Sequence, residues 1–138
     1  MAVAMNSPAL HHVSLVTLDL DRSVKFYRDV FGLKQIARPP FKSAGAWLAL
    51  GPMQLHLIVK SDGTFRTKPA IETGDTHFAI RVSDFEKMIG QLVSKGFREN
   101  AADGDPMRLL VIRKGVAGFP QAYILDPDWN IIEINAAE

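Results

Sequence analysis

The stretch LHHVSLVTLDLDRSVKFYRDVFG, residues 10–32, decides the fold because it contains a strand followed directly by a helix. Over residues 10–18, Val13 and Leu15 point to one side and His12, Ser14 and Val16 to the other, and this period of two predicts a β-strand. Asp19 or Asp21 can cap the helix that follows, and Gly32 ends it. Four residues recur at helical spacing in this segment: Leu20, Val24, Tyr27 and Phe31.

Three further strand-like runs complete the first half of the chain. They are predicted at Leu33–Ala37, Ala46–Leu50 and Met53–Lys60, and the turn Gly51-Pro52 joins the last two. The first half, about residues 9–60, therefore reads β-α-β-β-β.

The second half, about residues 75–136, repeats this order. His77 stands 65 positions after His12, and the same offset places Asp84 on Asp19. Strands are predicted at Thr76–Val82, Phe97–Ala101, Gln121–Leu125 and Asn130–Asn135, with a helix from Asp84 to Gly96. The sequence thus predicts an α+β fold of two βαβββ modules, formed by internal duplication and joined by the linker 61–74 into one domain of 138 residues.

The irregular stretch 102–118 lengthens the second module and contains Arg108, Arg113 and Lys114. Long loops inside a compact domain are often functional. Its central apolar run, Leu109–Ile112, is compatible with an extra strand or with an apolar lid.

Composition excludes several classes of protein. With 47% hydrophobic residues, 22% charged residues and a net charge of +1, the chain is typical of a globular domain rather than of a nucleic-acid or membrane-surface binder. The absence of cysteine excludes disulfides, thiolate nucleophiles and Cys-ligated metals. The first eight residues lack a signal-peptide pattern and no apolar run is long enough to span a membrane, so we expect a cytoplasmic protein.

Four polar residues interrupt otherwise apolar strands: His12, His56, His77 and Glu133. The duplication pairs His12 with His77, and His56 with Glu133. Buried imidazole and carboxylate groups are unfavourable unless they are paired or coordinated, and this set suits one divalent metal: Fe, Mn, Ni, Co or Zn. Each residue alone is also compatible with a hydrogen-bonded structural histidine or a solvent-facing glutamate. We expect the His11 side chain to point to the opposite face and not to ligate.

Three neighbours share the strand face of these residues by parity. Trp47, Gln54 and Tyr123 are predicted to line the same cavity, with Gln54 two positions before His56 on one strand. Ordinary sheet packing is the alternative for the two aromatic residues.

Four segments carry a family resemblance: LHHVSL at 10–15, FYRDVFGL at 26–33, THFAI at 76–80 and DPDWNIIE at 126–133. Together they resemble the vicinal oxygen chelate superfamily, which includes glyoxalase I, extradiol dioxygenases, fosfomycin-resistance thiol transferases and bleomycin-binding proteins. The resemblance covers nearly the whole chain, although Trp129 stands where the similar motif has Gly.

This resemblance implies two modules that form paired incomplete barrels around a shared metal cavity. His12, His77 and Glu133 match the usual ligand positions, and His56 matches a fourth ligand or a neighbouring acid/base. The metal would chelate vicinal oxygens of a small organic substrate and stabilise the negative charge that forms there.

The resemblance leaves several reactions open. Glyoxalase I usually has a glutamate where this chain has His56, so Glu133 is the remaining carboxylate base for a lactoylglutathione-lyase-like isomerisation. Extradiol dioxygenases and the fosfomycin enzymes both use two His and one Glu. Ser14, Trp47 and Tyr123 fall at positions that resemble pocket-lining residues of the fosfomycin enzymes. The basic carboxyl-terminal segment of those enzymes helps to hold the phosphonate, and Arg113 or Lys114 would take its place here.

The leading hypothesis is a metal-dependent glyoxalase-like enzyme with a small-molecule substrate, with Glu133 and His56 as catalytic groups. A protein that sequesters a bleomycin-like ligand without chemistry is the non-enzymatic alternative. We also expect a homodimer, because single modules leave half-barrel edges exposed. The metal then lies between modules of one chain or of two chains.

Overall fold

A computed structural model describes residues 7–138, so the first six residues, which contribute to the expectation of no signal peptide, lie outside the described part. The first module contains one helix and a four-stranded sheet of order β1-β4-β3-β2. Strand β1 pairs in parallel with β4, and the other pairs are antiparallel. Its elements are β1 (His12–Thr17), α1 (Leu20–Phe31), β2 (Gln35–Ile36), β3 (Gly45–Leu50) and β4 (Met53–Val59).

The second module has the same topology. Its sheet has the order β5-β8-β7-β6, with β5 parallel to β8 and the remaining pairs antiparallel. Its elements are β5 (His77–Arg81), α2 (Phe85–Ser94), β6 (Leu110–Ile112), β7 (Gln121–Leu125) and β8 (Ile131–Asn135). The α+β fold with two modules, each of four strands and one helix, is therefore confirmed.

The second strand of the second module is not where the sequence predicts it. Phe97–Ala101 is wrong as a strand, since only Arg98 pairs there, in an isolated bridge to Arg108. Phe97 is buried, but the next three residues are polar and exposed, which breaks the alternation that a sheet face needs. The run Leu110–Ile112 pairs with β7 instead. Of the two alternatives for Leu109–Ile112, an extra strand or an apolar lid, the structure therefore has the strand.

Each helix begins at the predicted aspartate. The Asp19 carboxylate accepts a hydrogen bond from the Arg22 backbone N–H, and Asp84 accepts one from Lys87. Gly32 ends α1 with a left-handed φ of 68°, a conformation that favours glycine. Among residues 7–138, neither helix is long and apolar enough to cross a membrane.

The core lies on one face of each sheet and under both helices. Alternate residues of the central strands, such as Leu55 and Leu57 of β4 and Ile132 and Ile134 of β8, are 0–1% exposed. They pack with Tyr27 of α1 and with apolar residues of α2 in a single cluster. Because side chains alternate along a strand, the opposite face of each sheet is left to carry the polar residues of interest.

A buried polar network joins the two modules. The turn between β7 and β8 presents Asp126 and Asp128 to helix α1 of the first module. Tyr27 donates its hydroxyl to Asp126 at 2.7 Å, while Arg22 and Ser23 donate to Asp128 at 3.2 and 3.3 Å. Both carboxylates are at most 6% exposed, so these contacts replace lost water and fix the helix against the turn.

Candidate functional site

The sheet registers place two of the four predicted residues in each sheet, at equivalent positions. In the first sheet His56 lies opposite Ser14, two residues after His12. In the second sheet Glu133 lies opposite Ala79, two residues after His77. Trp47 is opposite His56 and Tyr123 is opposite Glu133, so these two aromatic residues are also equivalent. The duplication therefore extends from the order of elements to the positions of single side chains.

The second-sheet pair consists of His77 and Glu133. The Nε2 atom of His77 lies 3.3 Å from Oε1 of Glu133, and its Nδ1 atom lies 2.7 Å from the backbone oxygen of Asp75. The Tyr123 hydroxyl donates to Oε1 at 3.0 Å, and the Asn135 amide donates to Oε2 at 2.7 Å. Glu133 is 7% exposed, so a nearly buried carboxylate is held from three sides.

Both ring nitrogens of His77 face hydrogen-bond acceptors. The Asp75 carbonyl oxygen accepts only, so Nδ1 carries a hydrogen. A neutral imidazole then has a bare lone pair on Nε2, directed at the carboxylate of Glu133. Either a hydrogen on Nε2 or a cation bound to both Nε2 and Oε1 would satisfy the contact.

The surroundings keep Glu133 ionised and Tyr123 protonated. Partial burial acts to raise the pKa of Glu133, but hydrogen bonds from Asn135, Tyr123, Gln121 and His77 outweigh it and leave the pKa below its usual value. Burial, then the hydrogen bond to Glu133, raises the pKa of Tyr123 to about 12. Near neutral pH the site thus holds a carboxylate with a phenol proton directed at it.

The first-sheet pair forms a stack of three rings. His56 lies between Trp47, at a centroid distance of 4.1 Å, and His12, at 3.9 Å, with interplanar angles of 2° and 17°. Gln54 contacts the Nε2 atom of His56 at 2.8 Å. Because imidazole lone pairs lie in the ring plane, those of His12 and His56 run nearly side by side in this arrangement and do not meet at one point.

Burial, followed by electrostatic interaction with His12, His11 and Arg38, lowers the pKa of His56 below its usual value. The side chain is 6% exposed. A neutral imidazole at His56 is therefore favoured at physiological pH, and it remains available as a base or as a ligand.

The expectation that the His11 side chain points away from His12 is wrong, whereas the expectation that His11 does not ligate stays a prediction. Its Nδ1 atom lies 3.0 Å from Nδ1 of His12, and the two rings are perpendicular with centroids 5.2 Å apart. His11 precedes the first residue of β1, so strand alternation does not govern its side chain. The adjacent histidines His11 and His12 are visible in the sequence, but whether their side chains meet depends on where the strand begins.

Two expected substrate-binding residues lie in different surroundings. Ser14 and His77 line one cavity of about 370 Å³, which residues of β1, β5, β8 and the linker surround. Arg113 lies instead beside α2, where it donates to Glu86 at 2.7 Å and to Glu99 at 3.3 Å. These hydrogen bonds raise the pKa of Arg113 and its charge is balanced by two carboxylates, so its predicted role in substrate binding stays a prediction.

Comparison with known proteins identifies the family. A profile of the Glyoxalase/Bleomycin resistance protein/Dioxygenase superfamily matches residues 9–134. The chain belongs to this superfamily.

Two curated relatives illustrate the range of this glyoxalase superfamily. The chain is 30% identical over 127 residues to lactoylglutathione lyase GLX1 of Arabidopsis thaliana, across 89% of its own length and 42% of the lyase. It is also 30% identical over 132 residues to glutathione transferase FosA of Serratia marcescens, across 92% of its own length and 79% of the transferase. The chain thus spans less than half of the plant lyase.

Solved glyoxalase-superfamily structures share the fold. A glyoxalase family protein from Bacillus anthracis superposes with a TM-score of 0.75 over 99% of this chain and 100% of its own, at 18% identity. At this identity the likeness establishes the architecture of two modules and nothing finer.

The glyoxalase superfamily implies a divalent metal, and the residues present match it in donor type. The donor types fit, since imidazole and carboxylate suit borderline divalent metals, and Nε2 of His77 lies 3.3 Å from Oε1 of Glu133. Among residues 7–138, however, no group of three or more histidine and acidic side chains is arranged to hold a metal ion. One chain therefore offers two donor pairs rather than one four-residue site.

Proposed function

We propose that this protein is a metal-dependent glyoxalase-like enzyme that acts on a small organic molecule through its vicinal oxygens. His12, His77 and Glu133 would ligate the metal, and His56 would be a fourth ligand or a neighbouring acid/base. The observation that carries the proposal is the contact of His77 Nε2 with the Glu133 carboxylate at 3.3 Å, which brings together two atoms of the types that ligate divalent metals.

A bound divalent metal would supply Lewis-acid polarisation of the substrate oxygens. The chain's own residues supply proton transfer and orientation. Glu133 is ionised near neutral pH and can accept a proton from a carbon or oxygen of the substrate. Tyr123 holds a proton on its hydroxyl 3.0 Å from Glu133 Oε1 and stabilises the carboxylate.

His56 is supported by its neighbours rather than by solvent. The ring is stacked against Trp47 at 4.1 Å, and Gln54 contacts its Nε2 at 2.8 Å. A neutral, oriented imidazole of this kind can take up or release a proton beside the ligands. Ser14, on the same face, would contact the substrate from the edge strand β1.

We propose a lactoylglutathione-lyase-like isomerisation as the reaction, with extradiol-type ring cleavage and thiol transfer to fosfomycin as alternatives. Support comes from the plant lyase and from FosA, which are each 30% identical to this chain. His56 in place of the glutamate usual in glyoxalase I leaves Glu133 as the single carboxylate base, which is compatible with all three reactions.

We also propose that the active form is a homodimer in which the second copy completes each site. Within residues 7–138 the His12–His56 and His77–Glu133 pairs do not join into one group of metal ligands. In a closed two-fold dimer the same two surfaces meet twice, so two complete sites would form from four pairs.

Metal content tests the proposal. Protein purified without chelator or affinity tag should contain close to one equivalent of Fe, Mn, Ni, Co or Zn per chain by mass spectrometry, and His77→Ala should lose most of it. Asp84→Asn, a substitution at the α2 cap and away from both pairs, is the matched control. Equal metal content in wild type and His77→Ala would contradict the proposal.

The reaction class is separated by three assays on the metal-loaded protein. They are loss of hemithioacetal absorbance, oxygen uptake with catechols, and glutathione consumption with fosfomycin.

A second candidate function is sequestration of a bleomycin-like ligand without chemistry, which the lack of a three-ligand group in the described part of one chain favours. Metal-independent ligand binding with no turnover in any assay would support that candidate.

A further inference from the structure

His11 makes a contact that the proposed function does not explain. Its Nδ1 atom lies 3.0 Å from Nδ1 of His12, which is hydrogen-bond distance. Two neutral imidazoles in such a contact must divide the roles, because one nitrogen donates its hydrogen and the other accepts it. The His11 backbone oxygen accepts a hydrogen bond from Gln54 at 3.1 Å, so the residue is held against strand β4.

The division of roles decides what His12 can do. If Nδ1 of His12 donates, its Nε2 carries a lone pair and can bind a cation. If Nδ1 of His12 accepts, its hydrogen is on Nε2 and that atom cannot bind one. The direction of the hydrogen bond between His11 and His12 therefore determines which tautomer His12, a predicted metal ligand, adopts.

The equivalent histidine of the other module indicates which tautomer is used. Nδ1 of His77 lies 2.7 Å from the Asp75 backbone oxygen, which accepts only, so its hydrogen is on Nδ1. His12 and His77 are related by the duplication and both have Nδ1 occupied. Because His12 faces a side chain rather than a carbonyl, the same tautomer needs an acceptor lone pair from His11.

We propose that His11 is a positioning residue whose Nδ1 accepts a hydrogen bond from His12 Nδ1 and so keeps Nε2 of His12 free to bind the metal. The role of this tautomer in metal binding rests on the proposed function, whereas the hydrogen bond between His11 and His12 does not. His11 then carries its own hydrogen on Nε2, and the residue is exposed.

Nuclear magnetic resonance of metal-free protein tests the tautomer directly. In protein stripped of metal and labelled with ¹⁵N-histidine, two-bond ¹H–¹⁵N correlations at about pH 8.5, where ordinary imidazoles are neutral, distinguish the two tautomers. We expect the Nδ1–H pattern for both His12 and His77 in the wild type. His11→Ala should lose it at His12 and keep it at His77, and His11→Asn should restore it, because its amide oxygen can accept.

Metal affinity gives the second readout. By calorimetry with Ni²⁺, His11→Ala should bind about 10- to 100-fold more weakly than wild type, and His11→Asn should recover most of the loss. An Nε2–H pattern for wild-type His12, or a pattern unchanged in His11→Ala, would overturn the positioning role. If no form binds Ni²⁺, the proposed function fails, while the tautomer result still decides the role of His11.

Discussion

Trp129 occupies a backbone conformation that bulky residues rarely adopt. Its φ is 67°, in the left-handed region, and it follows the Asp126-Pro127-Asp128 turn where the similar family motif has Gly. The conformation costs about 1–2 kcal/mol for a residue with a Cβ atom. The Trp129 side chain packs on the cluster of Tyr123, Leu125 and Ile131, and this packing opposes the cost of the conformation.

This strain reverses the usual order of alanine and glycine. Trp129→Ala loses the packing and keeps the strain, whereas Trp129→Gly loses the packing and relieves the strain. After the greater chain entropy of glycine is subtracted, we expect Trp129→Gly to be more stable than Trp129→Ala by about 0.5–1 kcal/mol in urea unfolding. At the exposed control position Ala102, glycine should lower stability; a Trp129→Ala variant as stable as Trp129→Gly would rule out the strain.

At the scale of elements, helix α1 is attached to the second module through a buried tyrosine. Tyr27 is completely buried, and burial, followed by the charge of Asp126 and the hydrogen bond to it, raises the pKa of Tyr27 well above its usual value. Burial also raises the pKa of Asp126, although hydrogen bonds from Asn130 and Tyr27 oppose this effect. The junction between the modules therefore has a defined response to alkaline pH.

Stability should fall as pH rises above about 10, the usual tyrosine pKa. The unfolded chain releases the Tyr27 proton there, while the folded chain keeps it, so the unfolded state gains at high pH. Tyr27→Phe should be less stable by about 1–3 kcal/mol at pH 7 and should show a shallower alkaline decline. Urea unfolding at several pH values measures both, and parallel curves for the two proteins would contradict the assignment.

At the scale of the whole molecule, the predicted site is divided between two sheets. The His12–His56 stack belongs to the first sheet, and the His77–Glu133 pair belongs to the second. The edge strands β1 and β5 both contribute to the cavity of about 370 Å³ that Ser14 and His77 line. A dimer that completes the site makes a prediction that a site within one chain does not.

Mixing two inactive variants distinguishes these arrangements. One variant is His12→Ala/His56→Ala and the other is His77→Ala/Glu133→Gln. In a shared-site dimer, the mixed dimer has one site with all four predicted residues intact, so unfolding and refolding the variants together should restore about one quarter of the wild-type sites. Each variant refolded alone is the control. No recovery of metal or activity, with mixed dimers present by mass, would place the site within one chain.

Much of this architecture follows from the amino-acid sequence alone. The period of two, the aspartate caps and the offset that relates His12 to His77 predict two equivalent modules, because local propensity and duplication act along the chain. The prediction of a strand at Phe97–Ala101 was wrong, because a single buried residue, Phe97, followed by exposed polar residues forms no apolar sheet face. The pairing of Leu110–Ile112 with β7 is a long-range choice that local pattern left open.

Tertiary structure decided how the polar residues meet. The sequence by itself determined that His12, His56, His77 and Glu133 occupy repeat-related strand positions, since parity assigns each to a face. It did not determine that His56 is stacked between two rings, that His11 contacts His12, or that Arg113 pairs with Glu86. These contacts depend on distances between strands and loops far apart in the chain, which are set only when the sheets and helices pack.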